Sequence, residues 1–268
     1  MMKTVAELMN MRGRCALITG ANGAIGQVIA LTLAELGADL ILVDRPASDY
    51  SHLVEEIGKV NRVVITTVDC DLEVEADRAR LIEEVLNGET GLDVLVNNAA
   101  FVGTSGLTGW VTPFEKQSVE TWRRAVEVNL TAAFDLVKGF APMLKVSGHG
   151  SIINIGSIYG VVGPDYSLYK DTNMGSPAAY AASKGGLIQL TRWLATTLAP
   201  DIRVNAISPG GVFRNQPEAF VKSYQARTPL GRMATEEDFR GAIAYLASDL
   251  SAYVTGVNQM VDGGWSAW

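Results

Sequence analysis

Tyr180 and Lys184 stand four residues apart in the segment Tyr-Ala-Ala-Ser-Lys, inside a pattern of helical period, so both side chains fall on one helix face. A free phenol has a pKa near ~10, too high for a base at neutral pH. An ammonium beside it favours the phenolate and brings that value down. The pair would then serve as a general acid/base for interconverting an alcohol and a ketone. The plain alternative is a surface pair at that spacing, which helices often carry. Ser157 follows the apolar run Ser151–Ile155 and would hold the oxygen of a substrate at the end of that strand. Asn129 is a polar amide among Val126, Val128 and Leu130 in a helical stretch spanning Val119–Leu144, where it needs a partner.

A second cluster points to a dinucleotide. The strand-like run Cys15–Thr19 leads into Gly20-Ala21-Asn22-Gly23-Ala24-Ile25-Gly26 and then a helix. A strand, a glycine-rich turn and a helix N-terminus offer outward backbone N–H groups and a favourable dipole to a pyrophosphate. Gly20 and Gly23 are expected to permit the tight turn, and Gly26 close packing of helix on strand. The next strand ends in Asp44, whose carboxylate would accept the ribose hydroxyls and repel a 2′-phosphate. That favours NAD, while Arg45 beside it leaves NADP open. Taken alone, the turn could be an ordinary βα turn and Asp44 a cap.

Strands are predicted at Cys15–Thr19, Asp39–Val43, Arg62–Val68, Val94–Asn97, Ser151–Ile155, Arg203–Ile207 and Asn258–Val261. Helices are predicted near Ile25–Leu36, Ser51–Val60, Glu73–Leu86, Val119–Leu144, Ala178–Leu198, Pro217–Arg227 and Glu236–Ala247. This alternation argues for an α/β fold with a doubly wound, seven-stranded parallel sheet and helices on both faces. No repeat or linker divides the chain, so residues 1–268 read as a single domain. The 268 residues are 48% hydrophobic and 19% charged, enough to fill one core. A net charge of −7 argues against nucleic acid or an anionic membrane as partner. No apolar run is long enough for a membrane span, and the N-terminal stretch lacks a signal-peptide pattern. Cys15 and Cys70 lie in apolar runs and suggest reduced thiols in a cytoplasmic protein, and neither they nor His52 and His149 have the spacing of metal ligands.

Together, Thr19-Gly20-x-x-x-Ala24-Ile25-Gly26, Asn97-Asn98-Ala99-Ala100, Asn129, Ser157, Tyr180-x-x-x-Lys184 and Pro209-Gly210 resemble the short-chain dehydrogenase/reductase family in its single-domain Rossmann form, from about Arg12 to Trp265. The resemblance implies an NAD(P)-dependent oxidoreductase acting on a secondary alcohol or ketone. In it Asn129 helps carry a proton relay through water to Lys184, and Lys184 also donates to the nicotinamide ribose. Asn98, Ala99 and Ala100 would border the riboses, Asp71 and Leu72 the adenine. Pro209, Gly210, Gly211 and Val212 resemble the loop that reads the carboxamide. Three departures stand out. Ala24 replaces the middle glycine of the turn, Ala100 replaces a usual glycine, and Arg214 replaces a common threonine. Arg214 would grip the pyrophosphate or face an anionic substrate.

Ser157 and Tyr180 are 23 positions apart, more than the family pattern has, so an insertion at Val161–Pro177 adjoins the active site. It carries Tyr166, Tyr169, Lys170 and Asp171. With Tyr159 and Arg214, these residues would suit a hydroxyl-rich substrate, a sugar phosphate or nucleotide sugar among them. The insertion and the tail Tyr-Val-Thr-Gly…Val-Asp-Gly-Gly-Trp265 are similar to oxidoreductases of bacterial surface polysaccharide or flagellin glycan synthesis. A substrate lid is expected over about 213–233, centred on Glu218–Met233. Apolar faces on the two long helices (Trp122, Phe134, Trp193) suggest a homotetramer or homodimer. The alternatives are a 3-oxoacyl thioester reductase of fatty-acid type, a nucleotide-sugar epimerase or dehydratase, and a non-catalytic cofactor-binding protein.

Overall fold

The computed structural model describes residues 2–88, 91–170 and 172–268. Seven parallel strands form one sheet: β1 (Cys15–Thr19), β2 (Asp39–Asp44), β3 (Ile65–Asp69), β4 (Val94–Asn97), β5 (Ser151–Ile155), β6 (Arg203–Pro209) and β7 (Asn258–Val261). Their spatial order is β3-β2-β1-β4-β5-β6-β7. From β1 the chain builds outward through β2 and β3, then returns to lay β4 on the other side of β1. Ligands bind in open α/β sheets at such a reversal, beyond the strands' carboxyl ends.

The chain wraps this sheet with α1 (Val5–Met9), α2 (Ala24–Glu35), α3 (Ser51–Val60), α4 (Glu75–Asn87), α5 (Val119–Val126), α6 (Ala132–Val146), α7 (Ala178–Leu198), α8 (Glu218–Arg227) and α9 (Arg240–Ala247). Alternate residues of β1 serve opposite faces. Ala16 and Ile18 pack with Ile29, Leu33 and Ile243 from α2 and α9. Cys15 and Leu17 pack with Leu81, Phe140 and Leu194 from α4, α6 and α7. Both faces are buried, which is why the central strands are continuously apolar.

Three elements differ from the sequence reading. β3 begins at Ile65 rather than Arg62; it is an edge strand whose Thr66 and Thr67 are exposed, so its apolar signal is weak. The short α1 was not anticipated; Thr4 and Glu7 close a capping box around its first turn. The stretch expected as one helix over Val119–Leu144 is broken by a π-helical turn at Glu127–Thr131 between α5 and α6. Within the insertion at 161–177, Tyr166–Tyr169 form a 3-10 turn. Asp171 lies outside the described residues.

Candidate active site

Because all strands are parallel, Thr19, Asp44, Asn97, Ile155 and Pro209 end on one edge of the sheet. The glycine turn leaves β1 there. Gly20 has φ +64°, and a Cβ on it would approach Ala99 Cα to 2.9 Å. A Cβ on Gly26 would meet Gly20 O at 2.1 Å. Glycine is required at both positions, for the turn and for the close approach of α2. Gly23 is different from expectation: it is the N-cap of α2 with φ −67° and ψ 151°, a conformation open to any residue. Ala24 is the first residue of α2 and is exposed. Ile25 packs partly on the core.

The turn is fastened from both sides. Asn98 Nδ2 donates to Thr19 O (2.9 Å) and Gly20 O (3.0 Å). The backbone N–H groups of Asn98 and Ala99 donate to Thr19 Oγ1. Thr19 therefore locks the two carboxyl ends together, a role the motif's spelling did not assign to its side chain. On the other side Asp44 Oδ2 accepts from Asn22 N (2.8 Å), and Oδ1 accepts from Arg45 N (2.8 Å). The Asp44 carboxylate thus lies against the turn, while Arg45 is exposed. Asn22 Nδ2 is buried without a partner. A tight glycine cradle, an orphan amide donor and a carboxylate at the next strand's end fit an adenosine dinucleotide. Asp71 and Leu72 follow β3, and Leu72 O accepts from the buried Arg78 (2.7 Å), which also bonds Asp135 and Glu127. Arg78 fixes this loop to the π turn. Ala100 is half-buried just beyond β4.

Tyr180, Ser183 and Lys184 sit in the first turns of α7, against the Ser157–Gly160 turn after β5. A Cβ on Gly160 would lie 2.8 Å from the Lys184 backbone, so this glycine lets α7 approach Ser157. Ser157 is buried and its Oγ accepts from Tyr159 N (3.2 Å). The same hydroxyl favours the Tyr180 phenolate, but burial outweighs it and pushes the phenol up. Lys184 is buried, and its Nζ donates to Ile155 O (2.6 Å), with the ammonium 6.0 Å from the Tyr180 ring centre. Burial brings its pKa down to about 8. In this structure the ammonium is turned toward the end of β5, and burial is the largest influence on both groups. Asn129 is buried in the π turn. Its Oδ1 accepts from Phe101 N (2.7 Å), and its Nδ2 donates to Phe101 O (3.2 Å) and Ser183 Oγ (3.1 Å). Its amide thus ties the loop after β4 to α7 rather than touching Lys184.

Gly210 and Gly211 follow β6. A Cβ on Gly210 would press on Asp262 at 2.8 Å, and one on Gly211 on the Tyr224 ring at 2.7 Å. Gly211 N donates to Tyr224 Oη (2.5 Å), and Val212 bridges to Ala234. Tyr224 stacks on Trp265 with ring centres 5.7 Å apart. Among the predicted substrate residues, Tyr159 lies next to Ser157 and shares a hydrogen bond with Tyr169 (2.5 Å). Tyr166 is mostly exposed and donates to Ser176 O (3.2 Å), and Lys170 is exposed. Arg214 is ion-paired with Glu236 at 3.0 Å and points away from a free-cation role. Tyr224 and Trp265 are neighbours of the site that the sequence motifs do not point to. They come together only through tertiary packing, whereas Tyr169 is one of the insertion residues expected at the substrate pocket.

Comparison with known proteins places this geometry among its relatives. Residues 20–266 match the family model described as enoyl-(acyl carrier protein) reductase. A 3-oxoacyl-(acyl-carrier-protein) reductase of Thermotoga maritima is 34% identical over 96% of this chain and 99% of its own. Galactitol 2-dehydrogenase (L-tagatose-forming) of Cereibacter sphaeroides is 33% identical over 96% of both chains. The crystal structure of a short-chain dehydrogenase from Leptospira borgpetersenii with bound NAD+ superposes with a TM-score of 0.83 at 34% identity, covering 99% of this chain and 97% of that one.

Proposed function

Since the chain belongs to the short-chain dehydrogenase/reductase family, we propose that Tyr180 is its general acid/base and that Ser157 and Lys184 prepare it for proton exchange with a secondary alcohol or ketone. The protein is an NAD(P)-dependent oxidoreductase. The observation that carries the residue assignment is the placement of Tyr180 and Lys184 one helical turn apart, beside Ser157, on the sheet edge that also bears the glycine cradle.

Gly20, Asn22, Ala24, Ile25 and Gly26 would hold the pyrophosphate, Asp44 the adenosine ribose, and Asp71 and Leu72 the adenine. Asn98, Ala99, Ala100 and Lys184 would border the nicotinamide riboses, with Pro209–Val212 at the carboxamide. Asp44 favours NAD over NADP. A bound nicotinamide supplies or accepts the hydride. Ser157 Oγ holds the substrate oxygen. In oxidation the substrate hydroxyl gives its proton to the Tyr180 oxygen; in reduction Tyr180 returns it. Lys184 stabilises the phenolate, and Asn129 holds the α7 end and the Phe101 loop in register. A secondary alcohol within a hydroxyl-rich sugar derivative is the preferred substrate class. The single domain with its insertion at 161–177, a lid over about 213–233, a homo-oligomeric state and a cytoplasmic location complete the reading. Among the described residues, no helix is long and apolar enough to cross a membrane.

The test is Tyr180→Phe, followed by NADH absorbance and dinucleotide titration. Turnover is expected to fall by about a thousandfold while dinucleotide affinity stays within a few-fold. Retained turnover would remove Tyr180 from the chemistry. The second reading, reduction of a 3-oxoacyl thioester, is favoured by the Thermotoga maritima relative, whose name describes that reaction. Higher kcat/KM on a 3-oxoacyl thioester with NADPH than on polyols with NAD would establish it instead.

A further inference from the structure

The segment between Ser157 and α7 brings an additional phenol to the chemical centre. Tyr159, two residues after Ser157, and Tyr169, on the 3-10 turn Tyr166–Tyr169, place their hydroxyl oxygens 2.5 Å apart. Neither ring is free to swing. Tyr159 stands edge-on to Trp265 at 6.3 Å, and Tyr169 packs against Phe220 at 5.6 Å and Tyr166 at 5.9 Å. Both rings remain partly exposed. Tyr159 N donates to Ser157 Oγ at 3.2 Å, which ties the pair to the turn that faces the acid/base.

Hydrogen-bond accounting then makes a demand. Two phenols hold two protons, and one proton serves the bond between them. The accepting phenol keeps a donor that it can offer to a bound molecule, since both rings are partly exposed. Burial pushes Tyr169 up to about 12 and Tyr159 further, so both are neutral donors at any working pH. The arginines of the same wall are engaged elsewhere. Arg227 pairs with Asp165 and lies over the Trp265 ring at 5.3 Å, and Arg214 pairs with Glu236. The two phenols carry no charge to offer an anion, whereas an uncharged hydroxyl can accept the spare proton and return one to the shared oxygen pair.

Resting on the proposed function, we infer that the Tyr159–Tyr169 hydroxyl pair recognises a second, uncharged hydroxyl near the reacting carbon, and so selects vicinal diols and neutral polyols over simple secondary alcohols. A matched pair of probes isolates that hydroxyl: cis-cyclohexane-1,2-diol and cyclohexanol, each oxidised with NAD by the wild type and by Tyr169→Phe. The wild type is expected to favour the diol by at least about tenfold in kcat/KM, since a site built to hydrogen-bond a hydroxyl discriminates strongly against its absence. Tyr169→Phe keeps the ring and should collapse that preference toward unity, chiefly through KM. An unchanged preference in Tyr169→Phe overturns the inference and leaves the role of Tyr180 untouched. Should neither alcohol turn over, calorimetric titration of the diol into NAD-loaded Tyr180→Phe protein decides. Binding that is lost on adding Tyr169→Phe supports the pair, and binding that persists, or no binding at all, overturns it. Failure of the proposed function itself reads out separately, as turnover that survives Tyr180→Phe.

Discussion

Lys184 keeps an amine where burial resists its charge, with one carbonyl, Ile155 O, as its fixed acceptor. Function explains its retention better than stability does. Below about pH 8 the amine is charged in both folded and unfolded chains, so the folded state bears the whole desolvation cost. Between about 8 and the ordinary lysine value of 10.5 the folded chain has released a proton that the unfolded chain still holds, and stability rises with pH. Lys184→Met should therefore be more stable than wild type at pH 7 by about 2 kcal/mol, each tenfold change in proton affinity being worth about 1.4 kcal/mol less the lost hydrogen bond. The difference should shrink as pH climbs through that window, as denaturant unfolding at several pH values would show, while turnover is lost. A variant less stable than wild type at every pH would mean that the Ile155 contact outweighs desolvation. Asn129 belongs to the same scale: three hydrogen bonds to Phe101 and Ser183 satisfy an amide that looked out of place among valines and leucine.

At the scale of elements, the glycine turn separates residues that look alike in the sequence. Gly26 faces Gly20 O at a distance no Cβ tolerates, whereas Gly23 has an ordinary backbone and a Cβ there would sit 3.2 Å from the same oxygen. Gly26→Ala should lose about 3 kcal/mol of stability together with dinucleotide affinity. Gly23→Ala should lose less than about 1 kcal/mol, since an N-cap accepts alanine at modest cost. Chemical denaturation with and without NAD checks both; equal losses would show that the turn relaxes around Gly26. The π turn Glu127–Thr131 is the other element that matters. Its extra residue per turn places Asn129 toward Phe101 and Ser183, and π turns of this kind cluster at functional sites.

At the scale of the molecule, Trp122, Phe134 and Trp193 are 40%, 45% and 55% exposed on α5, α6 and α7. Large aromatics left in water along neighbouring helices suit a self-complementary contact between copies of the chain. Sedimentation at micromolar concentration should give a mass above one protomer, and Phe134→Glu with Trp193→Glu should shift it toward the monomer. A wild-type monomer, or an assembly indifferent to both charges, would place the contact elsewhere. The sheet reversal between β1 and β4 brings the cradle, Ser157 and α7 to one edge although they are spread across the chain. Tyr159, Tyr169, Phe220, Tyr224 and Trp265 likewise pack into one aromatic group from segments far apart in the chain.

The sequence by itself determined the strands β1, β4, β5 and β7, the helix bearing Tyr180 and Lys184, and the glycine turn. Each is a local pattern: a strand-like run stopped by glycine, asparagine or aspartate, or a repeat of helical period. It did not determine the break at Glu127–Thr131, because one additional residue in a turn barely disturbs that period. Nor could it show where Lys184 directs its charge, that Gly23 has an ordinary backbone, that Arg214 is engaged by Glu236, or that Tyr159 meets Tyr169. Those facts depend on contacts between segments distant along the chain, and on burial, which sets proton affinity and hydrogen-bond partners only once the segments have packed.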